Sequence, residues 1–183
     1  MVVRRQEVTV RAVGMATALV MVSVLVGCHA KSRSHDIQGP PSTWKIPEKW
    51  SIGQGTHSGK PMFTRLNLGL EPFIGRPEFP CQIAIAVPLR NPTEEGLPTG
   101  EEAQLLNDIE DEIVRRFLTA NESLFAGVVT TQGRREFVLY TSNADAARAK
   151  AVSLARDIPH HEIEFVVHDD PTWEKFKQLV PPA

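Results

Sequence analysis

Cys81-Gln82-Ile83-Ala84-Ile85-Ala86-Val87 is the stretch from which the fold can be read. Its larger apolar residues recur every second position, the period of a strand, and almost nothing between them is polar. A strand with no wet side lies inside a sheet covered on both faces. Phe137-Val138-Leu139-Tyr140 has the same character, so two central strands are expected. Residues 161–168 differ: Ile163, Phe165 and Val167 alternate with Glu162, Glu164 and His168. That polar side suits an exposed sheet edge, where charge discourages stray pairing.

The segments between these strands supply helices and one more strand. Thr99 and Glu102 have the spacing of a capping box, which starts a helix running to about residue 120. Leu106, Ile109, Ile113 and Phe117 form its apolar stripe, and Asp111 with Arg115 and Glu112 with Arg116 stand one turn apart on the outer side. The acidic run over residues 101–112 reads as a solvated helix face, favoured near the positive end of the helix dipole. Residues 123–130 and 135–141 form a hairpin about Gln132-Gly133. A second helix begins at Asn143, buries Ala147, Ala151, Leu154 and Ile158, and stops at Pro159. Residues 81–168 thus run strand, helix, strand, strand, helix, strand, an α+β pattern of the ferredoxin-like split β-α-β unit. Its strand order of four-one-three-two puts the two all-apolar strands at the centre.

Elements on either side complete one domain. Trp50-Ser51-Ile52 and Pro61-Met62-Phe63-Thr64-Arg65-Leu66, with a turn at Ser58-Gly59, form an N-terminal β-hairpin. Pro61 confines its strand to an edge or start position. Residues 69–80, with Pro72, Pro77 and Pro80, are expected to be irregular. Asp170-Pro171-Thr172-Trp173 reads as an N-cap with proline at the first helical position, opening a short C-terminal helix. The hairpin and this helix, with Trp173 and Phe176, are expected to cover the sheet face that the two longer helices leave bare.

The start of the chain carries a different signal. Arg4, Arg5 and Arg11 precede an apolar run over residues 13–26 that is shorter than the ~20 residues a spanning helix needs. Leu25-Val26-Gly27-Cys28 closes it and resembles the lipobox of bacterial lipoproteins, which implies cleavage before Cys28, diacylglycerol on its sulfur and an acyl chain on its amine. Several chains on one residue make attachment effectively permanent. Residues 1–27 are therefore expected to be a signal peptide, residues 28–47 the lipidated cysteine and a flexible tether, and residues 48–183 a single α+β domain. In the sorting rule of two-membrane bacteria, His29 favours the outer membrane over the inner.

Removal of residues 1–27 leaves 17 basic and 21 acidic residues, a net charge of −4 with histidines neutral. That balance lacks the cationic excess of a nucleic-acid surface. The chain has two cysteines, so with Cys28 acylated no intramolecular disulfide can form, and Cys81 is expected in the core.

Nucleophile elbow, phosphate loop, dinucleotide fingerprint and paired-cysteine zinc motifs are all missing from the sequence. His160, His161, His168, Asp169 and Asp170 have metal-ligand chemistry, but along a strand His161 and His168 point to opposite faces, and His160 and His168 stand about 26 Å apart. Surface histidines are expected, with no metal and no cofactor. Tyr140 is expected in the core with its hydroxyl hydrogen-bonded. Arg134 and Arg135 at a hairpin tip, with Glu162, Glu164 and His168 of the last strand, are the candidate contact surface. These features favour a non-catalytic envelope protein that binds another protein or a ligand. The alternative is an envelope hydrolase using Glu94, Glu95 or Asp169 with a histidine.

Arg65-Leu66-Asn67, the strand ending at Pro88, Gly96-Leu97-Pro98 before a Glu-rich helix, Phe137-Val138-Leu139-Tyr140, and Asp170-Pro171 with Trp173 carry a family likeness. From about residue 50 to 182 the chain resembles the bacterial family of domain of unknown function 695, with Phe176 standing where tyrosine is expected. That family is similar in fold to the protein regulators of ribonuclease E. The resemblance implies a ferredoxin-like domain and a binding role and transfers no catalytic residues. The ribonuclease role does not carry over, because the enzyme is cytoplasmic and the leader directs this chain outward.

Overall fold

The computed structural model describes residues 8–10 and 46–180. Numbered in chain order, its strands are β1 (Val8–Val10), β2 (Trp50–His57), β3 (Lys60–Asn67), β4 (Cys81–Pro88), β5 (Ser123–Thr131), β6 (Arg134–Thr141) and β7 (Ile163–Asp169). The helices are α1 (Gly100–Phe117), α2 (Ala144–Asp157) and α3 (Glu174–Leu179). Among the described residues the strands form one antiparallel sheet in the order β1-β7-β4-β6-β5-β3-β2. Its β7-β4-β6-β5 portion is the order expected for the split unit, with the two all-apolar strands in the middle.

Apolar spacing explains both layers. Ile83, Ile85 and Val87 of β4 and Phe137 and Leu139 of β6 point to one face. There they meet Leu106, Ile109, Ile113 and Phe117 of α1 and Ala147, Ala151 and Leu154 of α2. Each large side chain so buried contributes roughly 1.5–3 kcal/mol. The other face carries Leu124, Ala126, Val138 and Tyr140, packed under Leu70, Phe73, Phe79, Trp173 and Phe176. Cys81 is buried at the head of β4, as expected.

The C-terminal helix covers the open face as expected, but its start is built differently. Trp173, with φ of 58°, precedes the helix and stacks on Tyr140 with ring centroids 3.8 Å apart. Its indole N–H donates to the Phe79 carbonyl at 3.0 Å. Asp170 accepts from the amides of Glu174 (2.7 Å) and Lys175 (3.1 Å), so it caps the helix from four residues upstream and Pro171 lies in a turn before it. Tyr140 donates to the same carboxylate at 2.7 Å and accepts from the Phe176 amide at 3.2 Å. Burial, then the hydrogen bond to Asp170, pushes its phenol well above the usual tyrosine range.

The hairpin does not cover a face. It lengthens the sheet, because β3 pairs with β5 from Met62 opposite Thr131 to Leu66 opposite Gly127. The free edge of β5 offers unpaired backbone groups that the hairpin satisfies. Pro61 sits in the start position just outside this pairing. Gly127 permits the approach: β5 shifts register between Phe125 and Gly127, and a Cβ on Gly127 would lie 2.6 Å from the Arg65 carbonyl oxygen.

Four further expectations are corrected. Residues 69–80 are not wholly irregular, since Leu68–Phe73 form a 3-10 helix whose Gly69 amide donates to the Asn67 side chain at 3.0 Å. The capping box does not form: Thr99 makes no side-chain cap bond, and Glu102 is buried with its carboxylate on the amides of Arg90 and Asn91. Two amides in the loop after β4 outcompete the local cap. On the outer face Glu112 takes both Arg115 and Arg116. β7, read as an edge, is flanked by β1, Val8 standing opposite Phe165 and Val10 opposite Ile163.

Candidate functional site

Because α1 and α2 cover the β7-β4-β6-β5 part of the sheet, the added hairpin projects past α1 as a shelf. Strand alternation sends Trp50 and Ile52 of β2, and Phe63, Arg65 and Asn67 of β3, to the helix side of that shelf, matched across the strands as Trp50 with Asn67 and Ile52 with Arg65. These apolar residues are unusually open for their size: Ile52 is 82% exposed and Trp50 40%.

Two grooves run between shelf and helix. The larger, about 420 Å³, is lined by Ile46, Glu48, Trp50, Arg65, Asn67, Glu110, Val114, Leu118 and Phe125. The smaller, about 200 Å³, is lined by Ile52, Phe63, Thr64, Arg65, Asn107, Glu110, Val128, Thr130 and Arg135. Arg65 and Glu110 form an ion pair that belongs to both. The Arg65 guanidinium also lies 5.1 Å from the centroid of the Trp50 ring, and that ring packs on Phe125 with centroids 5.8 Å apart. Arg135 enters the smaller groove from β6. Its Nε donates to Thr130 Oγ1 at 3.1 Å and its Nη1 to Asn107 Oδ1 at 3.2 Å. Burial holds this guanidinium below its usual range; Glu110 opposes the shift and Arg65 adds to it.

The candidate contact surface inferred from sequence is divided. Arg134 stands opposite Pro88 and Arg135 opposite Val87, so the two arginines point to opposite faces. Arg134 comes within 4.0 Å of Glu164 on the face away from α1 and α2, near the Lys175–Glu136 pair at 3.6 Å. His168 is exposed near the far end of β7, opposite Gln82, and Glu162 is exposed just before that strand. Of the five residues, Arg135 alone reaches the grooves. Cys28 lies outside the described residues.

The carboxylates considered for hydrolysis are not brought together. Glu94 and Glu95 lie in the exposed loop beyond the Pro88 end of β4, whereas Asp169 pairs with Cys81 at the opposite end, roughly 23 Å away by strand rise. Among the described residues no group of three or more histidine, cysteine or acidic side chains is placed to hold a metal ion. His161, expected on the surface, is buried. Burial first, then the nearby Arg90 cation, holds its imidazole below the usual range, with Glu102 opposing. Among the described residues no helix is long and apolar enough to cross a membrane.

Trp50, Ile52, Phe63 and Glu110 were not legible as a site, because each reads as an ordinary strand or helix residue. The one available signal was Arg65-Leu66-Asn67, whose alternation puts Arg65 and Asn67 in the groove and Leu66 in the core. Gly96, in another of the family-like stretches, packs against the hairpin tip. Its carbonyl accepts from the Gly133 amide at 2.9 Å, and with φ of 80° it leaves no room for a Cβ.

The family model described as "Family of unknown function (DUF695)" matches residues 48–180, and the chain belongs to that family. No curated protein and no solved structure matches the chain.

Proposed function

We propose that this member of the DUF695 family is a lipid-anchored envelope protein whose domain is a non-catalytic binding module, with the shelf beside α1 as its binding face. The observation that carries the binding role is the shelf: Trp50, Ile52 and Phe63 stand exposed in one place, beside polar groups that fix orientation. Clustered exposed apolar side chains rimmed by polar ones mark interaction surfaces, and open grooves suit a protein partner better than an enclosed small molecule. The hydrolase alternative needs a pocket that joins one of its carboxylates to a histidine, and the linings of the two grooves include no histidine and none of Glu94, Glu95 or Asp169.

Anchoring rests on Leu25-Val26-Gly27-Cys28 after its short apolar run. His29 favours the outer membrane in a host with two membranes. Export and the β1–β7 pairing exclude each other. A leader inserted in the membrane leaves Val8–Val10 on the cytoplasmic side, and cleavage before Cys28 removes that strand from the mature protein. On export β7 therefore becomes the charged edge that its sequence describes.

The test is photocrosslinking in intact cells, with a photoreactive residue at Ile52 or, as control, at Val152, which is exposed on α2. A discrete adduct from Ile52 in the membrane fraction and none from Val152 is expected, with membrane retention lost in Cys28→Ser. Equal labelling from both positions, or none from Ile52, overturns the binding face. Wild-type protein in the soluble fraction overturns the anchor.

A further inference from the structure

The smaller groove has a charge opposite to that of the chain around it. Two guanidinium groups, Arg65 and Arg135, share a single carboxylate, Glu110, and the other lining residues are neutral. Arg65 is satisfied by its ion pair with Glu110. Arg135 is not so served: its hydrogen bonds to Thr130 and Asn107 both go to neutral acceptors. A guanidinium has five donors in a planar fork suited to a carboxylate. Partly withdrawing two such cations from water against one carboxylate is costly. An anion in the groove would balance the second guanidinium.

We propose that this groove is a carboxylate-binding subsite, which takes the acidic side chain of an extended segment of a partner protein while apolar neighbours in that segment lie against Ile52 and Phe63. The proposal rests on the shelf being the binding face and adds what the partner presents. At about 200 Å³ the groove is smaller than the roughly 300 Å³ at which small-molecule pockets begin, yet it accommodates one side chain. It is open along the shelf, so a chain can lay one residue into it and continue over the exposed Ile52. The partial withdrawal of Arg135 from water, already visible in its lowered proton affinity, agrees with an under-compensated cation.

The experiment is an NMR titration of the full chain with two acetylated, amidated peptides, one alternating valine with glutamate and the other alternating valine with glutamine. The glutamate peptide is expected to shift the amide signals of Ile52, Phe63 and Val128. The glutamine peptide, and Arg135→Gln with the glutamate peptide, each lose a charge-assisted hydrogen bond and are expected to bind about tenfold or more weakly. Arg134→Gln, on the opposite face, leaves binding unchanged. Arg135→Lys keeps the charge without the fork and falls between; it also serves if Arg135→Gln does not fold. Equal binding of the two peptides, or undiminished binding by Arg135→Gln, overturns the carboxylate subsite and leaves the shelf standing. Shelf signals unmoved by the glutamate peptide also overturn it, while crosslinking at Ile52 judges the shelf separately.

Discussion

Replacing Tyr140 by phenylalanine removes one oxygen and isolates the latch that closes the second core. The hydroxyl donates to Asp170 at 2.7 Å and accepts from the Phe176 amide at 3.2 Å, while the ring stacks on Trp173. Phenylalanine keeps the stack and the volume. It leaves a buried amide at the start of α3 without its acceptor and takes from Asp170 one of the three donors it holds there. A hydrogen bond to a charged group and an unsatisfied buried amide each count for about 1–3 kcal/mol, and their overlap in one network gives a loss of about 2–4 kcal/mol. For a domain of this size about 1 kcal/mol shifts Tm by roughly 4 °C, so Tm falls by about 8–16 °C. Thermal unfolding followed by circular dichroism is the assay, with Asp170→Asn and the double variant completing a cycle. A Tyr140→Phe Tm within about 2 °C of wild type, or strictly additive single variants, would refute the network.

Gly127→Ala drives a Cβ to 2.6 Å from the Arg65 carbonyl oxygen and the Leu66 side chain, so β3 must move. A loss of about 1–3 kcal/mol in denaturant unfolding is expected, together with slackened amide-exchange protection in β3. His161 is buried with its folded pKa below the unfolded value of 6.5. The unfolded chain therefore takes up the proton first, and the protein loses stability as pH falls below 6.5. Urea midpoints against pH show this slope flattened in His161→Gln. Glu112, held at about 2 by Arg115 first and Arg116 with it, adds its own loss only at lower pH, once the unfolded carboxylate begins to protonate around 4.5, and so leaves the histidine slope nearer pH 6 untouched. Glu102→Ala removes the acceptor from the Arg90 and Asn91 amides. A loss of about 2–4 kcal/mol is expected, far more than the ~1 kcal/mol of a surface helix cap.

Periodicity carried the central fold well. Residues 81–88 and 137–140 have no polar side because both faces are covered, and that pattern alone puts them mid-sheet. The turns at Ser58-Gly59 and Gln132-Gly133 were equally legible, since each needs two successive residues at positive φ. The hairpin's place was not legible. An exposed alternation such as Trp50, Ile52 reads the same whether a strand covers a face or extends an edge, and the deciding contact is the β5 bulge at Gly127, a long-range fact. Glu102 misled for a related reason: three-residue spacing from Thr99 defines a local cap, whereas its bonds run to Arg90 and Asn91 in another segment. The site was read in part. Adjacent Arg134 and Arg135 suggested one basic tip, but strand alternation assigns them to opposite faces, and Arg135 alone joins Arg65 and Glu110.

The proposed anchor, the proposed exposed β7 edge and the proposed outward-facing shelf all depend on what happens at Cys28. The direct measurement is the intact mass and N-terminal peptide mass of the protein purified from its native membranes. The account predicts a chain that starts at Cys28 with a diacylglyceryl thioether and an acylated amine, so that Val8–Val10 is gone and β7 lies open. Recovery of peptides from residues 1–27 joined to an unmodified Cys28 would contradict it, and would leave β1 in the chain that carries β7.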